Sequence, residues 1–492
     1  MTVTDPAGSR RPARRGEAAA VGETKRLARA GWLVAMLAAT GVLIFGGVIW
    51  IRHDMAVHVL GAGAWERALM ILGWSLAGVN GAATIWWIVL VTAYRPVPPV
   101  ADDELPTCTV IVPAYNEGSQ VLKTLRSIAA SDYPPGKLQV LAIDDGSKDD
   151  TWEWICRGAR EFPALVQAQR LEVNRGKRQA LTEGFCQAWG EILVTIDSDS
   201  EIEPATLRHL VSPFVRDKRV GGVAGNVRIL NRGEGVIPRM LEVSFGYSFD
   251  FIRAGQSRLD TVLCTPGALA AYRRDVVLKV LPEWRSQTFC GLPADIGEDR
   301  AITNLILREG RLVRFQQTAT VFTQVPTGYV GLCRMFLRWA RSNIRETIVL
   351  TRFAFRPFRA GPATGTRVNL LVQWAGLTLG QVMKVALLGA LVWMPGHMLV
   401  RILAGALVCG ALPATVYALR HRSFHALWAF PYNLFWALGL SWIALYAWVT
   451  PHKTHWPTRG LLAPREASAH APADGEVAST LVVPEPAEST AA

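Results

Sequence analysis

The chain has 492 residues, is 50% hydrophobic and carries a formal net charge of +12, with a mean hydropathy of +0.20. That is too apolar for an ordinary soluble protein and long enough for one large domain plus a membrane part. The basic residues are spread along the chain and concentrated beside apolar segments, which argues against a nucleic-acid partner. Seven cysteines, at 108, 156, 186, 264, 290, 333 and 409, form no CxxC pair, so they read as free thiols and suggest no zinc site.

Residues 1–29 are polar and rich in Ala, Gly and Arg, the composition of a disordered tail. Its seven basic residues against three acidic ones predict a cytosolic N-terminus by the positive-inside rule. Residues 30–94 hold two uncharged apolar stretches, 30–51 and 68–94, where a bilayer core needs about 20 residues. The first is too long for a signal-peptide core and reads as an anchor. Two passes return the chain to the cytosol at Arg95, so residues 95–325, of ordinary globular composition, are expected to be a cytosolic catalytic domain.

Within that block the pattern becomes strand, helix, strand, helix. Residues 107–113 (TCTVIVP) read as the first strand, and Val121, Leu122, Leu125 and Ile128 mark one face of the helix that follows. A second strand, 138–143, ends in Asp144-Asp145-Gly146-Ser147. An aspartate there can accept from the N–H groups of a nucleobase or the hydroxyls of a ribose, and taken alone it is equally an Asx turn. Asn174-Arg175-Gly176-Lys177-Arg178 precedes a helix over 179–189, and cations around a glycine at a helix N-terminus make a phosphate site or a solvated basic turn. A buried strand over 192–196 ends in Asp197-Ser198-Asp199. Two carboxylates one residue apart at a strand end can hold a divalent cation, which can bridge a diphosphate. Two acidic strand ends and one basic turn, all expected on one edge of a parallel sheet, together describe a nucleotide-diphosphate pocket.

Further on, Gly297-Glu298-Asp299-Arg300 opens a helix with acids at its positive end. A carboxylate so placed can act as a general base that takes the proton of an attacking hydroxyl, and Asp299 is the candidate, with Glu298 beside it. Residues 326–366 hold an interface helix and linker: arginines at 334, 338, 341 and 345 form one stripe, and Leu332, Met335, Phe336 and Trp339 are apolar. A second surface helix is expected over 238–251. Residues 367–450 carry the C-terminal membrane helices, including spans at 368–394 and 402–419. In the last apolar stretch, 426–450, Pro431 is expected to break the segment into a surface helix and a re-entrant piece, which leaves the C-terminus cytosolic. Residues 466–492, rich in Ala, Pro and Glu, read as a disordered tail.

In combination, Val110-Ile111-Val112-Pro113-Ala114-Tyr115-Asn116-Glu117, DDGS at 144–147, GKR at 176–178 and DSD at 197–199 resemble a family-2 glycosyltransferase of GT-A type. Residues 286–304 and 337–346 (LRWARSNIRE) are similar to hyaluronan synthases and nodulation chitooligosaccharide synthases, and the likeness runs from 107 to 459. The resemblance implies an α/β GT-A (Rossmann-like, nucleotide-sugar-binding) cytosolic domain inserted between α-helical transmembrane segments of a multi-pass protein of the cell membrane. It implies UDP-sugar donors and a growing polysaccharide as partners beside the lipid bilayer, Mg²⁺ or Mn²⁺ as cofactor, and Asp299 as base. Arg338 and Trp339 match the Arg-Trp of the family's Gln-x-x-Arg-Trp, whose Arg reaches the diphosphate and whose Trp stacks near the acceptor. Met335 stands where the family has Gln. Cys264 and Gly267 fall in a loop that the family places near the acceptor, and Gly267 lets backbone approach a sugar closely. In residues 451–465, Trp456-Pro457-Thr458-Arg459 resembles a Trp-Gly-Thr-Arg gate at the channel mouth, so Trp456 and Arg459 are expected to meet substrate. Hyaluronan from UDP-GlcNAc and UDP-GlcA is the product implied. The motifs also suit a β-1,4-GlcNAc polymer made from UDP-GlcNAc alone. A non-processive transferase acting on a lipid phosphate needs neither the Arg-Trp helix nor a gate, and a transporter with a dead domain should have lost at least one of Asp145, Asp197, Asp199 and Asp299.

Overall fold

A computed structural model describes residues 63–393 and 395–453, with residue 46 and the segment 480–482. Helix α1 (Ala64–Ala93) leads into the catalytic block through Tyr94, whose hydroxyl donates to Phe315 O at 2.9 Å. Four strands follow, β1 (Cys108–Ala114), β2 (Leu138–Asp144), the more polar β3 (Val166–Arg170) and β4 (Ile192–Thr195), alternating with helices α2 (Gln120–Ala129), α3 (Thr151–Glu161) and α4 (Lys177–Gln187). β1 and β2 are buried at every position, as continuous apolar strands covered on both faces must be. Helix α4 can lie on β1 because residue 184 is glycine; a Cβ there would stand 2.5 Å from Ile111 Cγ2.

The chain continues through β5 (Ser200–Ile202), α5 (Thr206–Arg216), β6 (Val220–Ile229) and a bent helical arm. The arm comprises α6 (Val236–Phe245), a π turn over Gly246–Phe251 and α7 (Ile252–Arg258). It occupies the stretch 238–251 expected to form a surface helix, but Pro238, Met240, Leu241, Glu242, Val243, Phe245, Asp250 and Phe251 are buried within the protein, and the π turn is an addition that a 3.6-residue period does not reveal. Next come β7 (Ala270–Arg273), α8 (Arg274–Arg285), a small ribbon of β8 (Thr288–Phe289) and β9 (Leu292–Pro293), α9 (Glu298–Arg308) and β10 (Leu312–Thr323). Among the described residues one nine-stranded sheet forms, in the order β11-β3-β2-β1-β4-β7-β6-β10-β5, where β11 is Thr480–Val482. Strands β3, β2, β1 and β4 are mutually parallel, while β7 runs antiparallel to both β4 and β6. The C-terminal tail, expected to be disordered, thus contributes a short edge strand antiparallel to β3; the rest of it lies outside the described residues.

The remainder is helical: α10 (Tyr329–Ala354), α11 (Thr364–Trp393), α12 (Pro395–His421), α13 (Ala429–Phe435) and α14 (Trp442–Val449). The stretches expected to span at 68–94 and 368–394 are covered over 68–93 and 368–393 by α1 and α11, each a single helix of 30 residues. Among the described residues one helix, Ile402–His421, is long and apolar enough to cross a membrane, and Phe424–Leu440 with Trp442–Val449 forms a second candidate bent by 44°. The last apolar stretch is therefore broken as expected, but at Ser441; Pro431 sits in the first turn of α13, where a missing N–H costs little. The expected span at 30–51 lies outside the described residues, apart from residue 46.

The arginine stripe of α10 requires a correction. Arg341 and Arg345 are buried within the protein rather than turned to a membrane surface: Arg341 donates to Thr450 Oγ1 at 3.1 Å, and Arg345 donates to Ile296 O. Burying a guanidinium requires such partners.

Candidate active site

In the parallel half of the sheet the chain runs outward from β1 to β2 and β3, then returns to β4 on the other side of β1. A crevice opens outside the strand ends at such a switch point. Here it is a cavity of about 630 Å³, lined by the Asp197-Ser198-Asp199 turn after β4, the loop after β1, and residues of α9 and α10. Asn116, on the β1 loop, holds a left-handed φ of 54° and is fastened to the β2 loop, with Lys148 N donating to its Oδ1 at 2.9 Å.

On one side of the cavity lie the charges suited to a diphosphate. Lys177, at the start of α4, is ion-paired with Asp197 and stands 3.5 Å from Glu298 Oε1. Burial by itself would lower its pKa, but Asp197, Glu298 and Asp299 outweigh burial and hold the ammonium above the ordinary lysine range. Asp199 accepts from Ser200 Oγ at 3.0 Å and Thr323 Oγ1 at 3.1 Å. Burial and the neighbouring Asp197 charge push its carboxyl up to about 6. Gly267 covers this group: a Cβ there would stand 2.6 Å from Lys177 Nζ and 3.4 Å from Asp197 Oδ1. Among the described residues no three His, Cys, Asp or Glu side chains are grouped to hold a metal by themselves. Two carboxylates one residue apart, with Asp199 raised by burial and by the Asp197 charge, nevertheless fit a hard divalent cation, which typically takes one or two protein carboxylates and completes its shell with phosphate and water.

Facing them is the N-terminus of α9. Gly297 adopts a φ of 78°, and a Cβ there would lie 2.6 Å from Ser342 Cβ, so glycine lets this turn sit directly on α10. The two acids that follow diverge. Burial would raise Glu298, but Lys177 and Arg338 overcome it and hold its carboxyl below the usual range. Asp299 is raised, by burial and then by the Glu298 charge. Its Oδ1 accepts from Arg300 N at 2.8 Å and its Oδ2 from Cys264 Sγ at 3.2 Å. Neighbouring carboxyls driven apart in this way form an ionised partner and a base of raised proton affinity.

The third wall is aromatic. Trp339 lies with its ring centroid 6.0 Å from those of both Phe245 and Phe249 and 5.6 Å from that of Phe336. Arg253 is buried 4.2 Å over the Phe249 ring, and burial lowers its pKa to about 10. Arg338, Met335 and Ser342 complete this side.

Of the residues singled out from the sequence, Lys177, Asp197, Asp199, Cys264, Gly267, Glu298, Asp299, Arg338 and Trp339 all line the cavity. Arg178 does not, and the expectation that it reaches the phosphates is corrected. Its guanidinium turns into the core, donating to Trp284 O at 2.7 Å and lying 5.2 Å over that indole. Asp144 and Asp145 sit at the end of β2 outside the cavity lining. Asp144 pairs with Arg170 Nε at 3.1 Å, and Asp145 Oδ1 accepts from Arg175 N at 2.9 Å, which fastens the basic turn to the strand end. Trp456 and Arg459 lie outside the described residues. Sequence reading missed Phe245, Phe249, Arg253, Arg300 and Ser342. The spacing of 245, 249 and 253, one helical turn apart each time, was the available signal.

A sheet with this switch point, two acidic strand ends and an acid-capped helix facing them has the α/β architecture of GT-A glycosyltransferases. The comparisons agree. Residues 106–342 match the family described as "Glycosyltransferase like family 2". An N-acetylglucosaminyltransferase of Azorhizobium caulinodans is 30% identical over 365 residues, covering 72% of this chain and 87% of its own. A hyaluronan synthase of Streptococcus pyogenes is 31% identical over 291 residues, 57% of this chain and 68% of its own. An N-acetylglucosaminyltransferase of Rhizobium meliloti (strain 1021) is 34% identical over 277 residues, but the match spans only 65% of that relative's length. In fold, the chain resembles a mannosyltransferase from Pyrobaculum calidifontis solved with GDP-Man and Mn²⁺, with a TM-score of 0.54 at 23% identity over 76% of this chain and 96% of that one. The chain belongs to the family-2 glycosyltransferases, and it is an enzyme.

Proposed function

We propose that the protein is a membrane-embedded, processive, inverting β-glycosyltransferase that polymerises UDP-sugars and extrudes the product, with hyaluronan from UDP-GlcNAc and UDP-GlcA as that product. The observation that carries this reading is the placement of Asp299 in one cavity between the Lys177, Asp197 and Asp199 group and the Trp339, Phe245 and Phe249 wall. A donor diphosphate suits the first and a sugar ring stacks on the second.

In this reading Lys177 and Arg338 take the negative charge of the leaving UDP, which costs no reorganisation because they are already held. Asp197 and Asp199 are the residues that would hold Mg²⁺ or Mn²⁺, and the ion's contribution is to neutralise the diphosphate. Asp299 accepts the proton of the acceptor hydroxyl as its oxygen bonds to the anomeric carbon and the bond from that carbon to the phosphate oxygen breaks. Its raised proton affinity favours that transfer, while Glu298 stays ionised beside Lys177. Trp339 positions the acceptor, and Cys264 is a wall residue whose thiol donates to Asp299. Asp144 and Asp145 hold the nucleoside end through the loop they organise. The exposed side chains of Val89, Leu388, Val392, Val400 and Leu407 on α1, α11 and α12 suit contact with lipid.

A second reading, a β-1,4-GlcNAc polymer from UDP-GlcNAc alone, is favoured by the two relatives named N-acetylglucosaminyltransferase. Product digestion separates the two. A product degraded by a hyaluronan lyase and resistant to chitinase supports the first, and the converse overturns it.

A further inference from the structure

We propose that the C-terminal end of α12 clasps the helical arm carrying the aromatic wall, so that Arg420 and Glu242 are positioning residues for Trp339 and Phe249. This rests on the acceptor side assigned above. The arm of α6, the π turn and α7 has two working faces. One presents Phe245, Phe249 and Arg253 to the cavity. The other carries two carboxylates, Glu242 and Asp250, exposed by only 1% and 2%.

Neither carboxylate lines the cavity, and each is shared between the sheet and α12. Glu242 accepts from Arg228 of β6, from Ile229 N at 3.2 Å, and from Tyr417 Oη of α12 at 3.1 Å. Asp250 accepts from Arg420 of α12 and from Gln317 Nε2 of β10 at 2.9 Å. Arg228 also reaches His421 Nδ1 at 3.3 Å. At the start of the π turn the approach is closest: a Cβ on Gly246 would stand 3.0 Å from the Tyr417 ring.

Buried charges that share hydrogen bonds cannot part without leaving a desolvated carboxylate unpaired, so the arm and the end of α12 are held in one arrangement. A displacement of α12 is then passed to Phe245 and Phe249, which brace Trp339. The π turn allows the arm to present charges to one neighbour and rings to the other, and such turns recur at functional sites. Helix α12 is the one that contains the membrane-crossing candidate Ile402–His421. The arrangement therefore links that helix to acceptor engagement and leaves the donor side to other elements.

The test uses the full chain in detergent, comparing wild type with Arg420→Gln, Arg420→Lys and Gly246→Ala. Three quantities are read: UDP release without acceptor, transfer to a soluble GlcNAc-terminated oligosaccharide, and amide hydrogen exchange across 245–253. The expectation for Arg420→Gln is an acceptor KM raised about fivefold or more, an acceptor-free UDP release rate within about twofold of wild type, and faster exchange over 245–253, because the buried Asp250 carboxylate loses its charged donor. Arg420→Lys restores most of the acceptor KM, and Gly246→Ala raises it by steric pressure from the other side. A parallel fall in donor turnover and transfer, an unchanged acceptor KM, or a Lys variant no better than Gln would overturn the proposal. Unchanged exchange over 245–253 overturns the clasp whatever the sugar chemistry. Wild type that releases no UDP from any UDP-sugar overturns the proposed function instead, and the exchange result still decides the clasp.

Discussion

Replacing Asp299 with Asn removes one charge and keeps the side chain's shape, and the variant is expected to lose transfer while gaining stability at neutral pH. Without a proton acceptor at the start of α9, UDP release should fall by about 10²- to 10⁴-fold, the usual range for a general base. The stability effect follows from the raised carboxyl. Burial and the Glu298 charge lift its pKa in the folded state above the unfolded value. Between those two values the folded protein holds more protons, so stability falls as pH rises through the window and the whole penalty is present above it. Each unit of elevation corresponds to about 1.4 kcal/mol. Asn escapes this penalty, keeps one oxygen for Arg300 N–H, and forfeits only the weak thiol donor of Cys264. Thermal unfolding of both forms at pH 7.5 and at progressively lower pH should show the variant melting higher at neutral pH, with the gap closing on acidification. UDP release retained within about threefold, or a variant that melts lower at neutral pH, would refute the assignment of a buried base of raised proton affinity.

Lys177→Met should raise the donor KM about tenfold or more, the worth of one charge-assisted contact, with steady-state kinetics as the check. Gly297→Ala forces a side chain into a left-handed turn and against Ser342, so it should destabilise by about 1–2 kcal/mol before the clash is counted, read as a lowered melting temperature. Trp339→Ala should abolish elongation while UDP release without acceptor persists, whereas Trp339→Phe keeps part of the stacking surface and part of the elongation. Chelation with EDTA should stop UDP release and added Mg²⁺ or Mn²⁺ should restore it; turnover indifferent to EDTA would remove the metal role of Asp197 and Asp199.

The parts of the fold legible in the sequence were those where one face, or both, had to be apolar. The strands at 108–114, 138–144 and 192–195 emerged from predominantly apolar runs, and the acids that end the second and third were placed at one sheet edge by the parallel topology alone. Adjacent residues were harder. Lys177 and Arg178 read as one basic cluster, but consecutive side chains on a helix point about 100° apart. One therefore meets Asp197 and the other Trp284. The stripe of α10 had the right period, yet period does not name the partner: Arg345 is enclosed by the α9 turn and Glu346, contacts distant in sequence or hidden within the helix. The aromatic wall was missed for the same reason. Phe245 and Phe249 look like any buried or lipid-facing pair until Trp339, far along the chain, is brought against them. The clasp of Glu242 and Asp250 depends on Tyr417 and Arg420, at similarly long range.

The most direct test of the central claim is UDP release by the purified, detergent-solubilised protein supplied with UDP-GlcNAc, with UDP-GlcA, and with both, in the presence of Mg²⁺ or Mn²⁺. A two-donor polymerase predicts sustained turnover only when both sugars are present, because each addition creates the acceptor for the other. Sustained turnover with UDP-GlcNAc alone, unchanged by UDP-GlcA, would contradict it and assign the cavity to a GlcNAc homopolymer.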